Sequence, residues 1–243
     1  MKVYGARASF AIMLALAVAA CGDAGAPSPE RTSAERTSAE RTSAVDAPPQ
    51  IPVSGPERPI LAFGDSLLTG YRLESGESYP EMLEAALRAR GINARIANAG
   101  VSGDTTAAAL ERLKFTLDSQ TVKPELVIIS LGGNDMLRGL PPEGTRANLD
   151  AMLTELGRRR IPVLLLGMLA APNLGKDYAA RFNPIYPTLA REHGVALVPF
   201  FMQPLMDRPD LVQQDRIHPT MPGVEAMVAA TIDDVIEALP ERK

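Results

Sequence analysis

One serine, one histidine and one aspartate carry the clearest chemistry this sequence could perform. Ser66 follows a short apolar run, Ile60 to Phe63, that ends abruptly at Gly64-Asp65. An apolar run of that length, bounded by turn residues, suits a buried strand of a parallel sheet. Open α/β sheets take their ligands outside the carboxyl ends of the strands, and Ser66 stands at such a place. Gly64 permits a sharp turn, and a helix starting near Ser66 would aim free N–H groups at whatever the hydroxyl touches. Helix caps are commoner than nucleophiles, so on this stretch alone Asp65 or Ser66 reads as an N-cap.

The chain has two histidines. His193 precedes Gly194 at the end of an amphipathic helix, where a cation complements the helix dipole. His218 sits in a proline-bearing turn before the last helix, with no packing demand for an imidazole, and is the candidate base. Asp215 lies three residues earlier. On one turn its carboxylate can accept from the imidazole Nδ1–H and hold the tautomer a base needs.

Three further stretches accompany Gly64-Asp65-Ser66-Leu67. They are Asn98-Ala99-Gly100-Val101-Ser102-Gly103-Asp104-Thr105, Leu131-Gly132-Gly133-Asn134-Asp135 and Asp215-Arg216-Ile217-His218-Pro219. In order and spacing the four resemble the sequence blocks of the GDSL, or SGNH, serine hydrolases. Leu131 to Gly139, Ile185-Tyr186-Pro187 and Pro199-Phe200-Phe201-Met202 are similar to the bacterial thioesterase I/lysophospholipase/arylesterase branch. The likeness runs from about Ile60 to about the C-terminus. It implies that Ser66 is the nucleophile, His218 its base and Asp215 the group that orients the base. It also implies an oxyanion hole built from the Ser66 N–H, the Gly103 N–H and the Asn134 side-chain amide. One such donor is worth about 10²–10³ in rate. Without the resemblance, Gly103 is a positive-φ turn residue and Asn134 a turn or cap. The pattern is not the usual α/β-hydrolase one, because Gly64-Asp65-Ser66-Leu67-Leu68 lacks the second glycine of G-x-S-x-G.

The resemblance further implies that Ser75 to Glu81 covers the substrate, with Tyr79 as the aromatic of that loop. Tyr79, Pro80, Leu169 and Phe182 are the expected lining of the acyl groove, although apolar residues are core by default. The expected activity is hydrolysis of acyl esters through a Ser-His-Asp triad and an acyl-enzyme. Aryl esters and lysophospholipids are the expected substrates, with acyl thioesters such as acyl-CoA as a retained capability. The competing readings are a carbohydrate O-acetylesterase on the same scaffold and a non-catalytic lipid-binding lipoprotein. Activity is expected to rise with pH through the ordinary histidine value of about 6.5, since only neutral imidazole is a base.

Composition excludes several other classes. The 243 residues allow one domain of ordinary size plus extensions, and 46% are apolar, enough for a core. The net charge of −4 and the absence of tryptophan give no basic or stacking surface for nucleic acid. No cofactor is expected. Two histidines are too few for a His-rich zinc site, and Asp65, Asp104 and Asp135 follow no spacing that a hard-cation site requires. Gly132-Gly133-Asn134 lacks both G-x-G-x-x-G and the P-loop lysine, which sets nucleotide binding aside.

Residues 1–21 carry Lys2 and Arg7, then an apolar run from Ala8 to Ala20, then the sole cysteine, Cys21. That is a signal-peptide pattern, and Val18-Ala19-Ala20-Cys21 resembles a bacterial lipobox whose cysteine is lipidated. Residues 22–58 read as a linker, with Glu-Arg-Thr-Ser-Ala three times between Glu30 and Ala44. Almost nothing there can be buried, so a solvated tether on the order of 35 Å is expected. The expected whole is a monomeric hydrolase domain, 59–243, held at the cell envelope by its lipidated N-terminus.

From Pro59 the periods that must position these residues alternate between strand and helix. Ile60–Phe63, Arg95–Ala97, Leu126–Leu131, Val163–Leu166 and Val195–Val198 read as strands. Tyr79–Arg90, Thr105–Leu117, Arg146–Arg159, Asp177–Glu192 and a last segment carrying Val224, Val228, Ile232, Val235 and Leu239 read as helices. Alternation of this kind predicts an α/β fold, a three-layer α/β/α sandwich on a parallel sheet with right-handed crossovers, as in flavodoxin-like and SGNH hydrolase folds.

Overall fold

The computed structural model describes residues 52–241. Cys21, the leader and the Glu-Arg-Thr-Ser-Ala repeats lie outside the described residues. Five parallel strands form one sheet: β1 (Ser54–Gly64), β2 (Ile92–Gly100), β3 (Leu126–Ser130), β4 (Val163–Leu166) and β5 (Ala196–Val198). Their spatial order is β2-β1-β3-β4-β5. Leu126-Val127-Ile128-Ile129 and Val163 to Leu166 are buried throughout, as strands covered on both faces must be.

The helices cover the sheet in two layers. Helix α1 (Ser66–Thr69) is one short turn after β1. Helix α2 (Tyr79–Ala89) packs against β2 and against the last helix, α8 (Met221–Ala238). Helix α3 (Thr106–Asp118) packs on α5 (Pro142–Arg158), and α5 packs on α6 (Lys176–Phe182) and α7 (Ile185–His193). A short α4 (Gly133–Leu137) follows β3. The chain runs from β1 out to β2 and back across to β3. The order therefore reverses at β1, and the crevice opens there at the carboxyl ends of the strands.

Several boundaries differ from the sequence expectation. Strand β1 begins at Ser54, inside the stretch read as linker, and Ser54 N donates to Gly91 O at 3.2 Å. Arg58 Nε donates to Glu125 Oε2 at 2.9 Å and ties that polar end down. Backbone pairing needs no apolar side chain, so an exposed strand end looks like linker in the sequence. Strand β2 is similarly longer than Arg95–Ala97. The single helix expected over Asp177–Glu192 is two, divided at Asn183-Pro184, where proline has no N–H to continue the first.

Candidate active site

The site is assembled where β1, β2 and β3 end. At Gly64 the chain turns so tightly that a Cβ would stand 2.4 Å from Ser130 O, so only glycine fits. Asp65 N then donates to Ser130 O at 3.2 Å, and the Asp65 side chain accepts from Leu67 N at 3.1 Å as the cap of α1. The cap and the candidate nucleophile are thus neighbours with separate tasks. Asp65 holds the turn and Ser66 is left facing outward.

Ser66 Oγ lies 2.8 Å from His218 Nε2, and His218 Nδ1 lies 2.8 Å from Asp215 Oδ2. Partial burial pushes the Asp215 carboxyl upward. The His218 and Ile217 backbone N–H groups and the His218 ring outweigh that push and hold it at about 2. An ionised carboxylate can only accept, so His218 carries its proton on Nδ1 and presents a bare Nε2 to the serine hydroxyl. The loop is braced on both sides. Gln213 N donates to His218 O at 2.8 Å, and Gln213 Nε2 donates to Tyr71 O at 2.8 Å and Pro219 O at 2.9 Å. The Tyr71 ring packs on the imidazole with centroids 4.4 Å apart.

Across from the base stand Gly103 and Asn134. Gly103 has φ 84°, a left-handed conformation that favours glycine. Among the described residues its N–H and that of Ser66 donate to no other backbone or side-chain group. Asn134 Nδ2 spends one hydrogen on Asp65 Oδ2 at 3.3 Å, which fixes the amide's orientation and leaves the second N–H available. Burial raises the Asp65 carboxyl to about 6, against the lowering pull of Leu67 N–H and Asn134.

Two braces hold this side, and they use the aspartates that the sequence reads as capping or bracing while their partners stay unmarked. Arg112 on α3 donates to Asp104 at 2.7 Å, to Ala99 O at 3.0 Å and to Gly64 O at 2.9 Å, so one guanidinium joins the ends of β1 and β2 to the Gly103 loop. It reads as an ordinary helix-surface arginine. Asp135 is 2% exposed and accepts from Thr106 N at 2.8 Å and from the Thr106 and Thr145 hydroxyls, pinning α4 to α3 and α5. A carboxylate beside Asn134 in a glycine-rich turn was its one visible signal.

A cleft of about 330 Å³ opens over Ser66, His218, Gly103 and Asn134. Tyr71, Met136, Leu137, Met168, Ala171 and Met202 line its apolar part. This lining corrects the sequence expectation. Tyr79 is fully buried, packs edge-on against Phe201 and bonds Thr231 through its hydroxyl at 2.8 Å. Pro80 is buried in the first turn of α2, where Ser78 and Glu81 form a capping box rather than a loop over the cleft. Phe182 is buried between Tyr178 and Tyr186. Leu169 is exposed but does not line the cleft. Sequence alone does not separate a pocket aromatic from a core aromatic, because both are apolar at helical spacing. A larger hollow of about 540 Å³ lies at the amino ends of β1 and β2, beside Glu81, Glu84 and Arg95, and holds no candidate nucleophile. Among the described residues no cluster of His, Cys, Asp and Glu could hold a metal ion.

The sequence model of the GDSL-like Lipase/Acylhydrolase family matches residues 62–226. An arylesterase of Vibrio mimicus is 39% identical over 160 residues, which is 66% of this chain and 79% of that protein. The thioesterase 1/protease 1/lysophospholipase L1 of Escherichia coli is 36% identical over 160 residues, 66% of this chain and 74% of that one. Among solved structures, the SGNH-hydrolase family esterase AlinE4 is 61% identical with a TM-score of 0.66, over 77% of this chain and all of that one. Two further AlinE4 structures have a serine and an aspartate replaced by alanine, residues as far apart in that chain as Ser66 and Asp215 are in this one.

Proposed function

The chain belongs to the GDSL-like lipase/acylhydrolase family and is a GDSL-type esterase, and from that membership we propose that Ser66, His218 and Asp215 are its catalytic triad. The observation that carries this is the unbroken line from Ser66 Oγ through His218 to Asp215, 2.8 Å at each step, at the carboxyl end of β1. Ser66 Oγ attacks the ester carbonyl while its proton passes to His218 Nε2. The oxyanion is held by the Ser66 and Gly103 N–H groups and the free Asn134 N–H. Collapse expels the alcohol, which takes the proton back from His218 and leaves Ser66 acylated. Water then attacks, gives a proton to His218, and the carboxylic acid leaves as Ser66 recovers its hydrogen. Asp215 stays ionised throughout and steadies the imidazolium.

The acyl part lies against Met136, Leu137, Met168, Ala171 and Met202, an adaptable wall of thioethers and aliphatics. Chain-length selection therefore belongs to that wall rather than to Ser75–Glu81, at about 0.8 kcal/mol per buried methylene. The substrates are envelope oxyesters, lysophospholipids among them, since an exported enzyme is separated from the cytoplasmic CoA pool. Export and anchoring are supported by Val18-Ala19-Ala20-Cys21. Cys21→Ser should abolish metabolic fatty-acid labelling and release the protein from membranes, and unchanged membrane association would refute anchoring.

The triad is tested by trapping the intermediate. Rapid mixing with p-nitrophenyl butyrate should give a burst of p-nitrophenol, and mass spectrometry of the quenched protein should find butyryl on the Ser66 peptide. Steady turnover with the acyl group on another residue, or on none, would remove Ser66 from the role.

A further inference from the structure

The two sides of the cleft differ in charge as well as in task. On one side the apolar wall of Met136, Leu137, Met168, Ala171 and Met202 adjoins the oxyanion donors. On the other stand Tyr71, Arg216, Ile217 and His218. The Arg72 guanidinium carbon lies 5.1 Å from the centre of the Tyr71 ring, which itself packs on His218. Arg138 Nη2 donates to Gly103 O at 2.7 Å, on the oxyanion side. All three arginines are exposed, and among the described residues none of them makes an ion pair. Arg58, Arg112, Arg146 and Arg159 each do. Of the three, Arg216 lines the cleft itself, in a chain of net charge −4.

Resting on the triad reading above, we infer that the base side of the cleft recognises an anion on the alcohol half of the substrate, so that acyl esters of phosphate-bearing alcohols are favoured. The direction follows from the proton. His218 must protonate the departing oxygen, so the alcohol half lies against His218 and its neighbours, while the acyl half takes the apolar wall. Arg216 lines the cleft on that side and Arg72 lies over the Tyr71 ring beside it, while the Asp215 carboxylate there is already engaged by His218 and by the Ile217 and His218 N–H groups. A guanidinium is planar, always charged and matched to the paired oxygens of a phosphate, which makes it the right group there. The positive rim also raises the local concentration of anionic substrate before contact. A lysophospholipid with a net negative headgroup fits both halves. A neutral monoacylglycerol fits only the acyl half.

The test compares 1-hexanoylglycerol 3-phosphate with 1-hexanoylglycerol, both below their micellar concentrations, so that no lipid surface contributes. At low salt kcat/KM should favour the phosphate ester by about fivefold or more, the scale of one or two exposed charge contacts. The preference should fall toward parity in 1 M salt, where screening acts within about 3 Å. Arg216→Gln combined with Arg72→Gln should bring the ratio near one by raising KM for the anionic ester, and Arg216→Lys should keep part of it. Arg191→Gln, far out on α7, should leave the ratio unchanged. Arg216 has φ 60°, so if the glutamine variant folds poorly, Arg216→Gly removes the charge and suits the backbone. Parity in the native protein at low salt, or a preference that survives the double substitution, overturns the inference while leaving the triad intact. Turnover of both esters by Ser66→Ala would instead strike the triad reading.

Discussion

Two histidine–aspartate pairs stand at opposite ends of this sheet. His218 meets Asp215 at 2.8 Å and His193 meets Asp150 at 2.7 Å. As pairs they are nearly interchangeable, yet their surroundings differ in every way that matters for chemistry. His193 ends α7 and shares a hollow with Pro162, Val163, Val195 and Ala196, at the amino ends of β4 and β5. There its Nε2 is the nitrogen that meets the carboxylate. His218 uses Nδ1 for the carboxylate and keeps Nε2 for Ser66, at the carboxyl end of β1. A histidine–carboxylate pair is therefore not a site in itself. The end of the sheet, the nitrogen engaged and the serine within reach set the pair proposed as the base apart from the clasp between α5 and α7.

The hardest test of that contrast is removal of the reacting groups. Ser66→Ala and His218→Ala should each lower kcat by about 10⁶, as removal of nucleophile or base does in serine hydrolases, with circular dichroism unchanged. His193→Ala should turn over p-nitrophenyl butyrate near the native rate. Comparable losses from both histidine substitutions would erase the distinction.

Next come the carboxylates. Asp215→Asn should reduce kcat by up to about 10⁴, because the amide no longer enforces the Nδ1–H tautomer. Asp150→Asn should leave kcat alone. If Asp215→Asn is harmless, another carboxylate orients the base.

A smaller effect probes the serine end through Asp65. Its folded value of about 6 lies above the ordinary 3.8, so the folded protein binds this proton more tightly than the unfolded chain does. Its favourable contribution is therefore complete below about pH 4 and is lost as the pH rises to about 6. Stability should fall by up to about 3 kcal/mol across that window, since each tenfold difference in proton affinity is worth about 1.4 kcal/mol. Asp215, held at about 2, acts oppositely and only below about pH 4. Urea denaturation across this pH range should show the fall in the native protein and a flatter curve in Asp65→Asn. A slope that survives the substitution would assign the proton elsewhere.

The smallest effect belongs to the clasp. Asp150 is half exposed, so His193→Ala should cost no more than about 1 kcal/mol of stability, read as a lower denaturation midpoint.

Much of this was legible from residues 59–243. The strands after which Ser66, Gly103 and Asn134 follow are apolar runs or glycine-rich turns, and local pattern suffices to find them. The i, i+3 spacing of Asp215 and His218 places the two on one turn, where the structure has them. Legibility ended where partners are distant in the chain. Tyr79, Pro80 and Phe182 were expected in the groove and lie in the core, because period and hydrophobicity do not say which face a buried residue meets. Nothing local marks Arg112 as the tie between β1, β2 and the Gly103 loop, since its acceptors lie in the Asn98–Thr105 stretch and at Gly64, 48 positions away.

Residue order was enough to set the alternation of strands and helices, the turn glycines and the identity of the chemical groups. Those depend on side-chain period, backbone sterics and residue type, all of which act within a few residues. Folding was needed to bring Ser66 and His218, 152 positions apart, within 2.8 Å. Folding also selected which apolar residues face the cleft and set Arg216 on its lining, with no ion pair among the described residues. Those outcomes depend on packing between elements remote in the chain, where one apolar or charged residue is locally equivalent to another and only the assembled fold distinguishes them.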